Sequence, residues 1–150
     1  MRDRINAALK TAMKDRDQIR VSTLRLVCAA LKEREIAQRA DDDAGELDSA
    51  VIMQVLSKMV KQREESAKTY DEAERADLAT RERAEIKIIR EFLPKPLSAE
   101  DMRKAVAEAI RSTDASSIKD MGKVMGALKS RYAGRMDFGA AGAAVKDALA

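Results

Sequence analysis

A length of 150 residues fits one ordinary domain or two small ones, and a composition of 37% charged and only 3% aromatic residues, with no Trp, argues against a sheet protein and leaves little surface for base stacking. One cysteine, Cys28, excludes an internal disulfide and a thiolate zinc cluster, while the absence of His removes the commonest general base and metal ligand. The net charge of +3 is too small to demand a polyanionic partner by itself, but it is unevenly placed: residues 1–93 hold 19 basic and 19 acidic side chains, residues 94–150 hold 10 and 7. Ala, Leu, Glu, Lys, Arg and Met dominate, and these are the better helix formers. An all-α fold is therefore expected.

The first helical segment runs from about Asp3 to Lys14, with Ile5, Leu9 and Ala12 on one face. The second starts near Asp17 and reaches about Arg39, with Val21, Leu24, Cys28 and Leu31 as its apolar stripe. Asp41-Asp42-Asp43-Ala44-Gly45 breaks it, because adjacent carboxylates repel and glycine loosens the chain. Asp48 is placed to cap a long third helix that carries Val51, Ile52, Val55, Leu56, Met59 and Val60 and continues to Tyr70. A fourth runs from about Glu74 to Glu91, with Leu78, Ile86 and Ile89 inward. The two long helices are expected to pack antiparallel. Phe92-Leu93-Pro94-Lys95-Pro96 then disfavours helical geometry and marks the domain boundary.

Ser98, with Asp101 three residues on, caps a fifth helix whose apolar face is Met102, Val106, Ala109 and Ile110. Ser116 or Ser117 caps a sixth, Ile118 to about Tyr132, with Ile118, Met121, Met125, Leu128 and Tyr132 as its core stripe. A turn from Gly134 to Asp137 leads to a short last helix ending at Leu149. The expected architecture is a four-helix unit over residues 1–93 followed by a three-helix unit over 98–150. The start, Met-Arg-Asp-Arg-Ile-Asn, lacks the apolar stretch of a signal peptide, and no apolar run approaches the ~20 residues of a membrane span. Together with the single thiol, this leads to the expectation of a cytoplasmic protein.

Three places could carry chemistry. Cys28 lies on an apolar stripe and reads as a small core residue. Glu82 and Glu85 fall on the inward arc of the fourth helix, where carboxylates are costly unless paired. They could form an acid/base pair or a metal site, or they could pair internally with Arg25 and Arg63; the internal ion pairs are the reading carried forward. A ferritin-like metal site requires His, so no metal is assigned. In Asp120-Met121-Gly122-Lys123-Val124-Met125-Gly126, two helical glycines four apart each cost about 1 kcal/mol relative to Ala, so they ask for a reason. Either a neighbouring helix packs tightly there, or the backbone lies open to a partner. If that partner is RNA, Lys119 and Lys123 would meet its phosphates.

Several stretches resemble the YqeY family of small bacterial proteins: Thr23-Leu24-Arg25 with Ala29-Ala30-Leu31-Lys32, Val60-Lys61-Gln62-Arg63 with Ser66, Glu82-x-x-Glu85-Ile86, Leu93-Pro94, and Asp120-Met121-Gly122-Lys123-Val124-Met125. The resemblance implies two α-helical domains. Its C-terminal half is similar to the tail of the B subunit of the tRNA-dependent amidotransferase, where the tail helps to hold tRNA while the chemistry belongs to other domains. By that resemblance the expected function is a non-catalytic accessory module that contacts tRNA or another structured RNA. Lys119, Gly122, Lys123 and Gly126 would form the contact surface, with Lys129, Arg131 and Arg135 adding charge. Two rival readings are an adaptor for a protein partner, such as the amidotransferase itself, and participation in a carbon–nitrogen ligase reaction with glutamine as amido-N-donor. No cofactor is implied, no membrane partner is expected, and a monomer is favoured.

Overall fold

The computed structural model describes residues 1–41, 45–132 and 135–150. Asp42, Asp43 and Ala44 of the acidic loop, and Gly134 of the last turn, lie outside the described residues. The fold is all-α: α1 (Arg2–Lys14), α2 (Gln18–Asp41), α3 (Ser49–Glu72), α4 (Ala76–Arg90), α5 (Ala99–Ser112), a 3-10 turn (Ile118–Asp120) leading into α6 (Met121–Arg131), and α7 (Phe138–Leu149). Contacts divide the chain into two compact units, Met1–Pro94 and Lys95–Ala150.

In the first unit Ile5 and Ala12 of α1, Leu24, Val27 and Leu31 of α2, Ile52, Leu56, Met59 and Val60 of α3, and Ile86 and Ile89 of α4 share one core with Leu47 and Phe92. Asp48 Oδ1 accepts from the Val51 amide at 2.8 Å and so satisfies a free donor at the start of α3. Leu47 and Ile52, on either side of that cap, are both buried, the placement of a hydrophobic staple. The two longest helices are not each other's main partners. The chief mate of α3 is α4, while α2 packs chiefly on α1 and α4, so the expected long-helix pair is replaced. The short 73–75 connection explains this, since helices joined by a few residues become antiparallel neighbours. On α2, Val27 fills the centre of the stripe, and Val21 and Cys28 sit half-buried at its edges.

Helix ends differ from the sequence reading for one recurring reason. Arg16, Glu74 and Asp114 have φ of 56°, 58° and 51°, the left-handed region in which a helix commonly stops on glycine. Behind them the amides of Asp17, Arg75 and Ala115 reach back to the carbonyls of Ala12, Tyr70 and Ile110 at 3.1, 2.8 and 3.1 Å. Glu74 therefore ends α3 rather than beginning α4, and no glycine was present to announce it.

In the second unit α5, α6 and α7 enclose a core of small residues: Ala105, Val106, Ala109, Val124, Leu128, Ala141 and Val145. Ser98 Oγ caps α5 by accepting from the Asp101 amide at 3.1 Å. Asp137 Oδ1 caps α7 through the amides of Gly139 and Ala140, at 2.9 and 3.3 Å. Val124, fully buried, belongs to the α6 stripe, whereas Ile118 lies one turn outside that helix and remains 48% exposed.

Candidate nucleic-acid interface

The start of α6 is fixed by Asp120. Its carboxylate accepts from the backbone amides of Ser116 (3.0 Å) and Ser117 (3.4 Å). The Ser116 hydrogen bond, then that of Ser117 and the field of Lys123, hold its pKa below the ordinary carboxylate value. From there the helix sends Met121, Val124, Met125 and Leu128 into the core. At about 100° per residue the opposite face is centred on Gly126, with Gly122 about 40° away, Lys123 about 60° to one side and Lys129 about 60° to the other. The two glycines thus form a bare strip with a lysine on either flank.

Gly122 and Gly126 are exposed, and a Cβ added at either would meet nothing within 4 Å. Tight packing against a neighbouring helix therefore does not account for them. The glycine that receives its neighbours is Gly142 of α7, whose added Cβ would lie 3.7 Å from Met121 Cε and 3.9 Å from Met125 Cε. Lys119, Lys123 and Lys129 are exposed, and none is ion-paired to a described residue.

Two of the charges assigned to this surface lie elsewhere. Arg131 is exposed but projects about 140° around the helix from Gly126. Arg135 lies beyond α6; its Nε donates to the Lys95 carbonyl at 3.4 Å and its own carbonyl accepts from the Leu97 amide at 2.9 Å. It fastens the segment before α5, so the ridge narrows to Lys119, Gly122, Lys123, Gly126 and Lys129.

The carboxylate pair on α4 is arranged differently. Arg63 Nε donates to Glu85 Oε2 at 2.9 Å, and Arg81 lies 3.6 Å from the other oxygen of Glu85. Glu85 is buried, so this contact replaces water with a matched charge. Glu82 is half-buried beside them; burial, then the Glu85 charge, push its pKa up against the pull of Arg63 and Arg81. Arg25 does not join this cluster. One position after Leu24, it is turned about 100° out of the buried stripe and is exposed, with no ion pair to a described residue. No cluster of three acidic or thiol groups able to hold a metal occurs among the described residues.

A groove of about 600 Å³ between α3 and α4 is lined by Arg83, Arg90, Lys68 and Lys87. Its arginines are already paired with Asp71 and Glu64, which makes it a poorer polyanion surface than the α6 ridge.

A family model described as Yqey-like protein matches residues 2–149. Fungal relatives named "Altered inheritance of mitochondria protein 41, mitochondrial" are also similar. The protein of Meyerozyma guilliermondii is 40% identical over 85 residues, covering 57% of this chain and 42% of its own length. That of Lachancea thermotolerans is 34% identical over 85 residues, with 57% and 43% covered. That of Candida glabrata is 30% identical over 110 residues, with 72% and 59% covered. The chain thus spans 42% to 59% of the length of these relatives. Their names overturn the expectation of a cytoplasmic protein. That expectation rested on one free thiol and no apolar leader, features that fit any reducing compartment and do not choose between them. Among the described residues, no helix is long and apolar enough to cross a membrane.

Proposed function

Since the chain belongs to the Yqey-like protein family, we propose that it is a non-catalytic accessory module whose α6 ridge contacts the backbone of a structured RNA. The observation that carries this reading is the open glycine strip: Gly122 and Gly126 face empty space between Lys123 and Lys129, neither of which is ion-paired to a described residue, with Lys123 one turn from the carboxylate of Asp120. A helix that leaves its backbone bare at a cost in propensity, with ammonium groups on both flanks, suits close approach by a phosphate chain. With only Tyr132 and Phe138 as aromatics in this unit, both half-buried, recognition would go through shape and backbone rather than base stacking. The first RNA to test is tRNA, because the family resemblance implies a likeness of the C-terminal half to the tail of the tRNA-dependent amidotransferase B subunit. The relatives' names make a mitochondrial setting the compartment to test first.

The experiment is filter binding of the full chain to total tRNA at several salt concentrations. Lys119→Glu with Lys123→Glu should weaken binding by about tenfold or more and lower the salt slope by about two. Binding that ignores salt, or that the double variant leaves intact, overturns the proposal.

A further inference from the structure

Helix α2 has a second apolar face that the fold does not use. Opposite the buried Leu24, Val27 and Leu31 stand Ile19, Leu26 and Ile36, at 45%, 48% and 58% exposure. The positions 19, 22, 26, 29, 33 and 36 follow the alternating three-and-four spacing of a coiled-coil seam, with Ser22, Ala29 and Glu33 between the three apolar residues. Exposed large apolar side chains gathered in one strip mark an interaction surface more often than a chance exposure. Ser22 and Ala29 are small enough to let another helix approach.

Charge decides what lies on it. Arg25, Lys32 and Arg39 recur every seven residues along one edge, all exposed and none ion-paired to a described residue. Glu35, on the core-facing side of the helix, is already engaged by Arg2 at 3.4 Å. Glu33 stands within the seam itself. A second copy fits badly in either orientation: antiparallel pairing would set the two basic rows against each other, and parallel pairing would set Glu33 against Glu33. A carboxylate in the middle of the strip also opposes burial in an anionic lipid surface.

We infer that the outward face of α2 docks an amphipathic helix of a different protein, acidic along the edge that meets Arg25, Lys32 and Arg39 and carrying one cation opposite Glu33. Apolar residues of that helix cover Ile19, Leu26 and Ile36. The matched charges set its direction and register, since such edge pairs choose partners more than they add affinity. This surface belongs to the first unit and is independent of the α6 ridge.

The test uses the full chain and a synthetic helix of about three heptads, with Leu along its seam, Glu on the facing edge and one Lys placed for Glu33. A control helix carries Lys in place of the edge Glu, and a further arm uses vesicles of phosphatidylcholine with phosphatidylserine. The acidic helix should bind saturably and shift amide resonances of α2. Leu26→Glu with Ile36→Glu should weaken it by about tenfold or more, with the far-UV spectrum and melting temperature retained because both side chains are exposed. Arg25→Glu with Lys32→Glu and Arg39→Glu should reverse the preference toward the basic helix. The inference falls if the two helices bind alike, if neither binds, or if the seam variants bind as well as the parent. Vesicle binding that the seam variants abolish, without binding of the acidic helix, gives the face to lipid instead. None of these outcomes involves RNA, so they leave the α6 ridge to its own test.

Discussion

The two units handle charge in opposite ways. Of the eight ion pairs among the described residues, seven lie in the first unit, where they link arginines to carboxylates on α2, α3 and α4 and just past the end of α4. The second unit has one, Lys104 with Glu100, a surface pair within α5. Core side chains divide in parallel: Ile, Leu, Met and Phe fill much of the first unit, while Ala and Val dominate the second. A unit that buries little and leaves its cations unmatched gains less from its own contacts. Its lysines remain available for an outside partner, and the relation between stability and function should therefore have opposite signs in the two halves.

The largest test of that contrast is Arg63→Ala. It strands buried Glu85 with only Arg81 for company and should destabilise the first unit by about 3 kcal/mol. Denaturant unfolding followed by tyrosine fluorescence in Tyr132→Phe and Tyr70→Phe backgrounds reads the units one at a time, since Tyr70 lies in one and Tyr132 in the other and there is no Trp to interfere. A loss seen equally at Tyr132 would mean that the units do not unfold separately. Next, Gly122→Ala with Gly126→Ala should stabilise the second unit by about 1 kcal/mol at each site, since the added methyls meet open space, while weakening RNA binding. A fall in stability at Tyr132 would show the strip is not free. A smaller gain is expected from Glu74→Gly and Asp114→Gly, about 0.5–1 kcal/mol each, because glycine adopts their left-handed backbone without strain. The first should appear at Tyr70 and the second at Tyr132.

The smallest effect is in pH. The folded pKa of Asp120 is depressed, chiefly by the Ser116 amide, so its stabilising contribution is complete above the unfolded carboxylate pKa and disappears as pH falls through the folded one. The protection of amides in the first turn of α6, relative to their intrinsic exchange rate at each pH, should fall over that acid range, and Asp120→Asn should flatten the change.

Apolar spacing made the helices legible, and Asp48 and Ser98 declared where two of them begin. The ends were obscure where Arg16, Glu74 and Asp114 do the work usually given to glycine. Pairing was also hidden: nothing in the stripes of α2 and α3 says that α3 chooses α4, because any apolar face suits any other. At the candidate ridge, sequence spacing named the two glycines and the lysines. Whether the strip faced inward depended on Val124 and Leu128 claiming the other side of the helix. The outward face of α2 is masked in the sequence by the stronger stripe of Leu24, Val27 and Leu31 on the same helix. Its sevenfold row of Arg25, Lys32 and Arg39 was the available signal.

The clip at Arg135 has a kinetic consequence. It joins residues 40 positions apart, since its guanidinium reaches the carbonyl of Lys95 while its own carbonyl receives the Leu97 amide. Closing so long a stretch of chain gains nothing until α5 and α6 have docked, so these bonds form late. They are also exposed and few, and belong to the class that opens before the core does. The Leu97 amide is therefore a built-in clock for the second unit, whose protection should lag behind that of Leu128 on refolding.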